Sequence, residues 1–239
     1  MKPRSRTSKP RPETGRAELL VAPKLLSEGE PLRHPRLSKP ENAKPKNPPP
    51  EKTPLTVLTI GHSTRSIEEF IRLLQAHGVE CLVDVRTIPR SRHNPQFNAD
   101  ALPVSLKKAG IDYEHMAALG GLRRAAADSI NAGWRNASFR GYADYMQTPQ
   151  FARAVEKLVR LAKHRRLALM CAEAVPWRCH RSLIADALLV RGIIVEDIMS
   201  LTRRQPHTLT PFAKVHGPQI TYPAEDLFAS SVESASARH

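Results

Sequence analysis

The sequence predicts an α/β protein: a single three-layer domain with a mainly parallel sheet of about five strands, preceded by a disordered basic tail. Three observations predict it. From Leu55 to Ser200, short aliphatic runs alternate with amphipathic stretches whose apolar residues recur at helical spacing. Each pair of runs is separated by a helix, so successive strands return by crossovers, lie parallel and are covered on both faces. The first 52 residues, in contrast, hold 11 of the 21 prolines and no aromatic residue, with the run Lys44-Pro45-Lys46-Asn47-Pro48-Pro49-Pro50 among them. Such a segment cannot bury enough apolar surface to offset the entropy of ordering it.

Val57-Leu58-Thr59-Ile60 reads as the first strand, ended by Gly61. Ser66-Ile67-Glu68-Glu69 has the spacing of a capping box, and Ile67, Phe70, Ile71 and Leu74 follow on one helical face until Gly78 stops the helix. Cys81 to Val85 is the second strand. After a loop rich in Arg, Pro and Asn (86–98), a short helix is expected over 101–109, ended by Gly110, and a third strand over 111–116. Thr148-Pro149 starts a helix with a capping hydroxyl and proline at its first position, and Phe151, Val155, Leu158, Val159 and Ala162 form its apolar stripe. Leu167 to Met170 is the fourth strand, 183–190 a helix and Ile193 to Val195 the fifth strand. The boundaries that follow are a tail over 1–54, an α/β domain over 55–205 and an irregular C-terminal segment over 206–239. No internal repeat is visible.

The net charge is +14, and the first 52 residues, with 13 Lys or Arg against 6 Glu, carry half of it. A tail of that charge can hold nucleic acid weakly and without sequence preference. Three cysteines make no disulfide framework, and no apolar run is long enough for a membrane span or a secretory signal. A cytoplasmic protein without a membrane partner is the expectation.

In parallel sheets chemistry gathers beyond the carboxyl ends of the strands. Three predicted strand ends carry it: Gly61-His62-Ser63-Thr64-Arg65, Asp84-Val85-Arg86 with Arg90 and Arg92 beyond, and Cys171-Ala172-Glu173 with Arg178-Cys179-His180-Arg181 at the next helix entrance. Arginines beside helix N-termini suit an anion, offering forked donors and free backbone amides. The candidate catalytic residues are therefore Cys171 as nucleophile or, alternatively, Glu173 as general base, with His180 as proton carrier, and Asp84. The candidate ligand-binding residues are His62, Ser63, Arg65, Arg86, Arg90, Arg92, Cys179 and Arg181. His62, Asp84, Arg86, Glu173 and His180 are expected around one pocket. No metal is expected, because adjacent side chains such as Cys179 and His180 seldom point to one ion. No pattern specifies a cofactor. The ligand expected is an anionic, phosphorylated or nucleotide-like small molecule. The alternative is a non-catalytic nucleic-acid-binding module, using the basic surface with Trp134, Phe139, Tyr142, Tyr145 and Trp177 as stacking groups.

Eight blocks in register carry a family resemblance: Thr59-Ile60-Gly61-His62-Ser63, Val83-Asp84-Val85-Arg86, Pro89-Arg90-Ser91, Asn94-Pro95-Gln96-Phe97, Leu119-Gly120-Gly121, Tyr142-Ala143-Asp144-Tyr145-Met146, Cys171-Ala172-Glu173 and Cys179-His180-Arg181-Ser182. Over residues 57–198 the chain resembles the family called domain of unknown function 488. The resemblance implies a compact α/β domain of bacterial or archaeal type and names no substrate. One departure stands out: Asp197 occupies the place before the last strand's final Ile where the resemblance leads one to expect a histidine.

Overall fold

The computed structural model describes residues 54–224. The expected disordered tail, and with it the expected tail contact to nucleic acid, falls on residues outside that range. Eight strands and five α-helices follow in order: β1 (Thr56–Gly61), α1 (Ile67–Ala76), β2 (Cys81–Asp84), α2 (Leu102–Lys108), β3 (Asp112–His115), α3 (Ala137–Tyr145), α4 (Pro149–Ala162), β4 (Leu167–Cys171), α5 (Arg181–Leu189), β5 (Ile194–Ile198), β6 (Arg204–Pro206), β7 (Lys214–His216) and β8 (Gln219–Thr221). No described helix is long and apolar enough to cross a membrane.

Local signals set the helix ends. The Ser66 hydroxyl accepts from the Glu69 amide at 3.2 Å, and Gly78, at φ +64°, turns the chain out of α1 toward β2. Thr148 caps α4 by accepting from the Phe151 amide, with Pro149 at the first helical position. Helix α5 is buried on every side from Arg181 to Leu188, as expected of a helix clamped between the sheet and its neighbours.

The main sheet has strand order β3-β2-β4-β1-β5-β6. The first five strands are mutually parallel and β6 is antiparallel to β5. Alternate strand residues feed two separate cores. Val57, Val83, Leu167, Leu169 and Val195 pack with Phe151, Val155 and Leu158 of α4 and with Leu183 and Leu188 of α5. Leu58, Ile60, Leu82, Ala168 and Met170 pack with Phe70 and Leu74 of α1 and with Leu102 and Leu106 of α2. Because both faces are covered, the central strands are apolar at nearly every position.

The structure departs from expectation in two places. Helix α3 was not expected: it carries Gly141 and several polar residues and has no clean apolar stripe, and its start is held by the Asn136 side chain accepting from the Ser138 amide at 2.8 Å. Residues 206–224 are not an irregular segment beyond the domain. Strands β7 and β8 pair as a hairpin, and Tyr222 is fully buried in the α4/α5 core. The segment is pinned by the buried Asp186 carboxylate, which accepts from Tyr222 Oη (2.8 Å), Thr210 Oγ1 (2.7 Å), the Thr210 amide (3.2 Å) and His207 Nε2 (2.9 Å). Strands of three residues with mostly exposed faces leave no periodic signal.

In register, Gly61 lies beside Cys171, and Asp84 beside Met170. Strands β2, β4 and β1 therefore end together at one edge of the sheet.

Candidate functional site

That edge holds a cavity of about 610 Å³. Its buried part is made by Cys171, Cys179, His62 and Arg86, with the half-buried His180; its exposed part by Arg90, Arg178 and Glu173. Ile88, Leu122 and Phe139 supply apolar wall. Of the five residues expected around one pocket, His62, Arg86, Glu173 and His180 line it, and Asp84 does not.

Asp84, expected among the catalytic groups, is fully buried behind Arg86. Its carboxylate accepts from the Arg86 amide (3.0 Å), Arg86 Nε (2.9 Å), Arg86 Nη2 (2.6 Å) and Tyr113 Oη (2.9 Å). Every useful lone-pair direction is taken, so Asp84 aims the Arg86 fork and is not free to move a proton. Arg86 Nη2 also donates to the Phe97 carbonyl (2.7 Å), and Nη1 approaches His62 Nε2 (3.3 Å). Four of its five N–H donors are thus used, and one on Nη1 is left for the cavity. His62 Nδ1 lies 2.8 Å from the Ser63 carbonyl, which requires a proton there and leaves Nε2 to accept from Arg86. Burial holds the His62 imidazole below its usual value, the Ser63 bond works against this, and the Arg86 charge adds to the lowering. A neutral ring stacked 4.2 Å from Phe97 is the result.

Cys171 ends β4, and Cys179 and His180 stand at the entrance to α5. The two sulfurs and a His180 nitrogen lie within 4.8 Å of one another. His180 Nδ1 is 3.9 Å from Cys171 Sγ and 3.8 Å from Cys179 Sγ, while Nε2 donates to the Val85 carbonyl at 3.1 Å. The neighbours Cys179 and His180 converge because the backbone switches from extended (φ −131°, ψ 142°) to helical (φ −57°, ψ −15°) between them. The Cys179 S–H donated to it holds the Cys171 thiol well below the usual thiol range, against the effect of burial and with help from His180. The same partnership, with burial, pushes Cys179 up. Of the two, Cys171 is the more acidic.

Three expected ligand arginines lie elsewhere. Arg181 is 1% exposed, and donates to Thr59 Oγ1 (3.1 Å), the Glu173 carbonyl (2.6 Å) and the Ala174 carbonyl (3.0 Å). It ties the loop after β4 to β1. Asp197, at the family-departing position, accepts from the same Thr59 hydroxyl, so that hydroxyl links a carboxylate to this buried guanidinium through two hydrogen bonds. Arg181→Met is expected to cost about 1.5–3 kcal/mol in denaturant unfolding, the worth of hydrogen bonds from a charged donor, with loosened proteolytic protection of 172–176. Arg65 turns back to the Gly61 carbonyl (2.5 Å) and pairs with Glu69 (3.3 Å), away from the cavity. Arg92 is exposed and does not line the cavity, because turns at Ser91 and Asn94, made by the Asn98 and Ser91 side chains, send Arg90 inward and Arg92 outward. Cys179 and Ser63, also expected to bind ligand, do line it.

The aromatic stacking surface is likewise not formed. Tyr142 is fully buried with its hydroxyl on the Leu119 carbonyl (2.8 Å), and Trp134 packs on Phe139, Phe212 and Tyr222. Tyr145 is held under Arg123 at 3.7 Å, and of the five only Trp177 is largely exposed.

Several lining residues had no role in the expectation. Gly120-Gly121 marks a close approach: a Cβ on Gly120 would stand 2.5 Å from Thr87 Oγ1, and one on Gly121 3.1 Å from His180 Nδ1. Among the described residues, Ser63 (φ 50°) and Leu122 (φ 56°) are the non-glycines with positive φ, and both line the cavity. Strained backbone of this kind clusters at ligand sites.

A family model described as Domain of unknown function DUF488 matches residues 66–188. The chain belongs to this family. No curated protein and no solved structure matches it. The DUF488 match takes in Asp84, Arg86, Cys171, Glu173, Cys179, His180 and Arg181, and starts just after the His62-Ser63 turn.

Proposed function

We propose that this DUF488 domain is an enzyme that binds an anionic, phosphorylated or nucleotide-like small molecule in the cavity, with the Cys171–Cys179–His180 corner as its reactive end. One observation carries the reading: the cavity is lined by three arginines, Arg86, Arg90 and Arg178, against a single carboxylate, Glu173, together with the buried pair Cys171 and Cys179. Arg90 and Arg178 can offer forked donors that match phosphate oxygens, and Arg86, whose fork is spent on Asp84, adds one N–H that is already aimed, so little orientation entropy is lost there on binding. Ile88, Leu122 and Phe139 give a base or other flat apolar group somewhere to lie.

The test is thermal unfolding of the full chain with nucleoside monophosphates and sugar phosphates, each against its unphosphorylated parent. A ligand at a hundred times its Kd adds about 2.7 kcal/mol of stability. The phosphorylated member is expected to raise the midpoint and the parent to leave it unchanged. Arg90→Ala combined with Arg178→Ala should weaken binding at least tenfold. Equal shifts for both members, or a double variant that binds as well as the parent protein, overturns the reading.

A further inference from the structure

We infer that Cys171, Cys179 and His180 form a binding site for one thiophilic divalent cation of the zinc class, with its fourth coordination position open to the cavity. Three kinds of observation converge. The first is separation. Tetrahedral zinc with Zn–S of about 2.3 Å and Zn–N of about 2.0 Å places its ligand atoms roughly 3.5–3.8 Å apart. Here Nδ1 stands 3.9 and 3.8 Å from the two sulfurs, and all three atoms lie within 4.8 Å of one another. Nδ1 needs to close on each sulfur by only a few tenths of an ångström, and the two sulfurs on each other by at most about 1 Å.

The second is the support behind the ligands. A metal-binding histidine donates its other ring N–H to a carbonyl or carboxylate, which fixes the tautomer and points the free lone pair at the ion. His180 Nε2 does this to the Val85 carbonyl at 3.1 Å, and the ring is held against Tyr142 with centroids 5.0 Å apart. Gly121 keeps the approach to Nδ1 clear, since a Cβ there would come within 3.1 Å of that nitrogen.

The third is the count and placement of ligands. Two sulfurs and one imidazole nitrogen are a three-ligand set, the number found in zinc sites that keep an exchangeable position, and soft sulfur selects against magnesium and calcium. All three residues line the cavity, as does Glu173, so the open position faces the space where the anion is held. Two thiolates neutralise the divalent charge, which leaves the arginines their attraction for an anion. Cys81 takes no part: it opens β2, at the opposite end of the sheet from Cys171.

The site goes beyond the anion reading and can fail separately from it. The experiment is titration of the full-length protein, reduced and stripped with a chelator, with cobalt(II). The expected result is one equivalent bound, with an intense near-ultraviolet sulfur-to-cobalt charge-transfer band and the visible absorption of tetrahedral cobalt, both abolished by one equivalent of zinc. Cys171→Ser and Cys179→Ser should each lower the charge-transfer band by about half and the affinity at least tenfold. Cys81→Ser should match the parent protein, and Gly121→Ala should weaken binding while keeping both sulfurs. X-ray absorption of the zinc-loaded parent protein is independent of any variant's folding, and should show two sulfur neighbours at about 2.3 Å and one nitrogen at about 2.0 Å. A parent protein without the charge-transfer band, or a band that survives loss of both Cys171 and Cys179, overturns the site. The Arg90→Ala, Arg178→Ala double variant should keep the cobalt spectrum, so loss of anion binding with that spectrum intact is a failure of neither.

Discussion

Asp84→Ala is expected to lower unfolding stability by about 3–5 kcal/mol, the cost of leaving one member of a buried ion pair without the other. Arg86 is only 7% exposed, and its Nε and Nη2 both rest on the Asp84 carboxylate. Removing that carboxylate strands a guanidinium in a low-dielectric environment and also deprives Tyr113 Oη and the Arg86 amide of their acceptor. For a domain whose total stability is of order 5–15 kcal/mol, this is a large fraction. Urea denaturation gives the measurement, with Asp84→Asn expected to fall between the two because it keeps an acceptor oxygen. The decisive comparison is Asp84→Ala with Arg86→Met, which removes both charges and should recover part of the loss. A double variant less stable than Asp84→Ala alone would mean that the pair is not what Asp84 is for.

Gly61→Ala should be at least as damaging. A Cβ built on Gly61 stands 1.8 Å from the Glu173 carbonyl oxygen and 2.8 Å from the Ala174 Cα, so the obstacle is backbone and cannot rotate away. The loop cannot easily lift, because Arg181 holds the Glu173 and Ala174 carbonyls at 2.6 and 3.0 Å and is itself buried. Overpacking in interiors costs about 1–3 kcal/mol where side chains can yield; here the expected loss lies at or above the top of that range. The functional consequence is sharper, since Glu173 and Cys171 line the cavity on the strand and loop that must move. Any folded Gly61→Ala protein should have lost most of its ligand-induced stabilisation. The control is Gly192→Ala, whose Cβ meets nothing within 4 Å although φ is +73°. It should cost only about 1–2 kcal/mol of left-handed strain and leave ligand binding intact. Equal effects at the two glycines would show that the close approach to Glu173 is unimportant.

The layered α/β fold was readable along the chain because its causes are local. Short apolar runs such as Leu167 to Met170, set between helices, fit strands buried on both faces, and Ser66, Thr148 and Gly78 punctuate their helices by hydrogen bonds and φ angles within a few residues. Parallel pairing then obliges Gly61, Asp84 and Cys171 to end at one edge, which is why the neighbourhood of the site could be named from residues far apart in sequence.

The assignment of roles within that neighbourhood is another matter. Charge states that Arg181, Arg65, Arg92 and Asp84 need partners or water, but not which. The loop after β4 folds back over Gly61 and takes Arg181 for its own carbonyls, Arg86 takes Asp84, and the turns at Ser91 and Asn94 put Arg92 outside. Cys179 and His180 meet over Cys171 only because an extended residue hands over to a helix there. The hairpin of β7 and β8 joins the domain through a carboxylate, Asp186, that lies far back along the chain. Local periodicity and capping are short-range and leave their mark in consecutive residues. The direction of a polar side chain at a strand end is settled by whichever loop returns to compete for it, and that competition exists only once the chain has closed on itself.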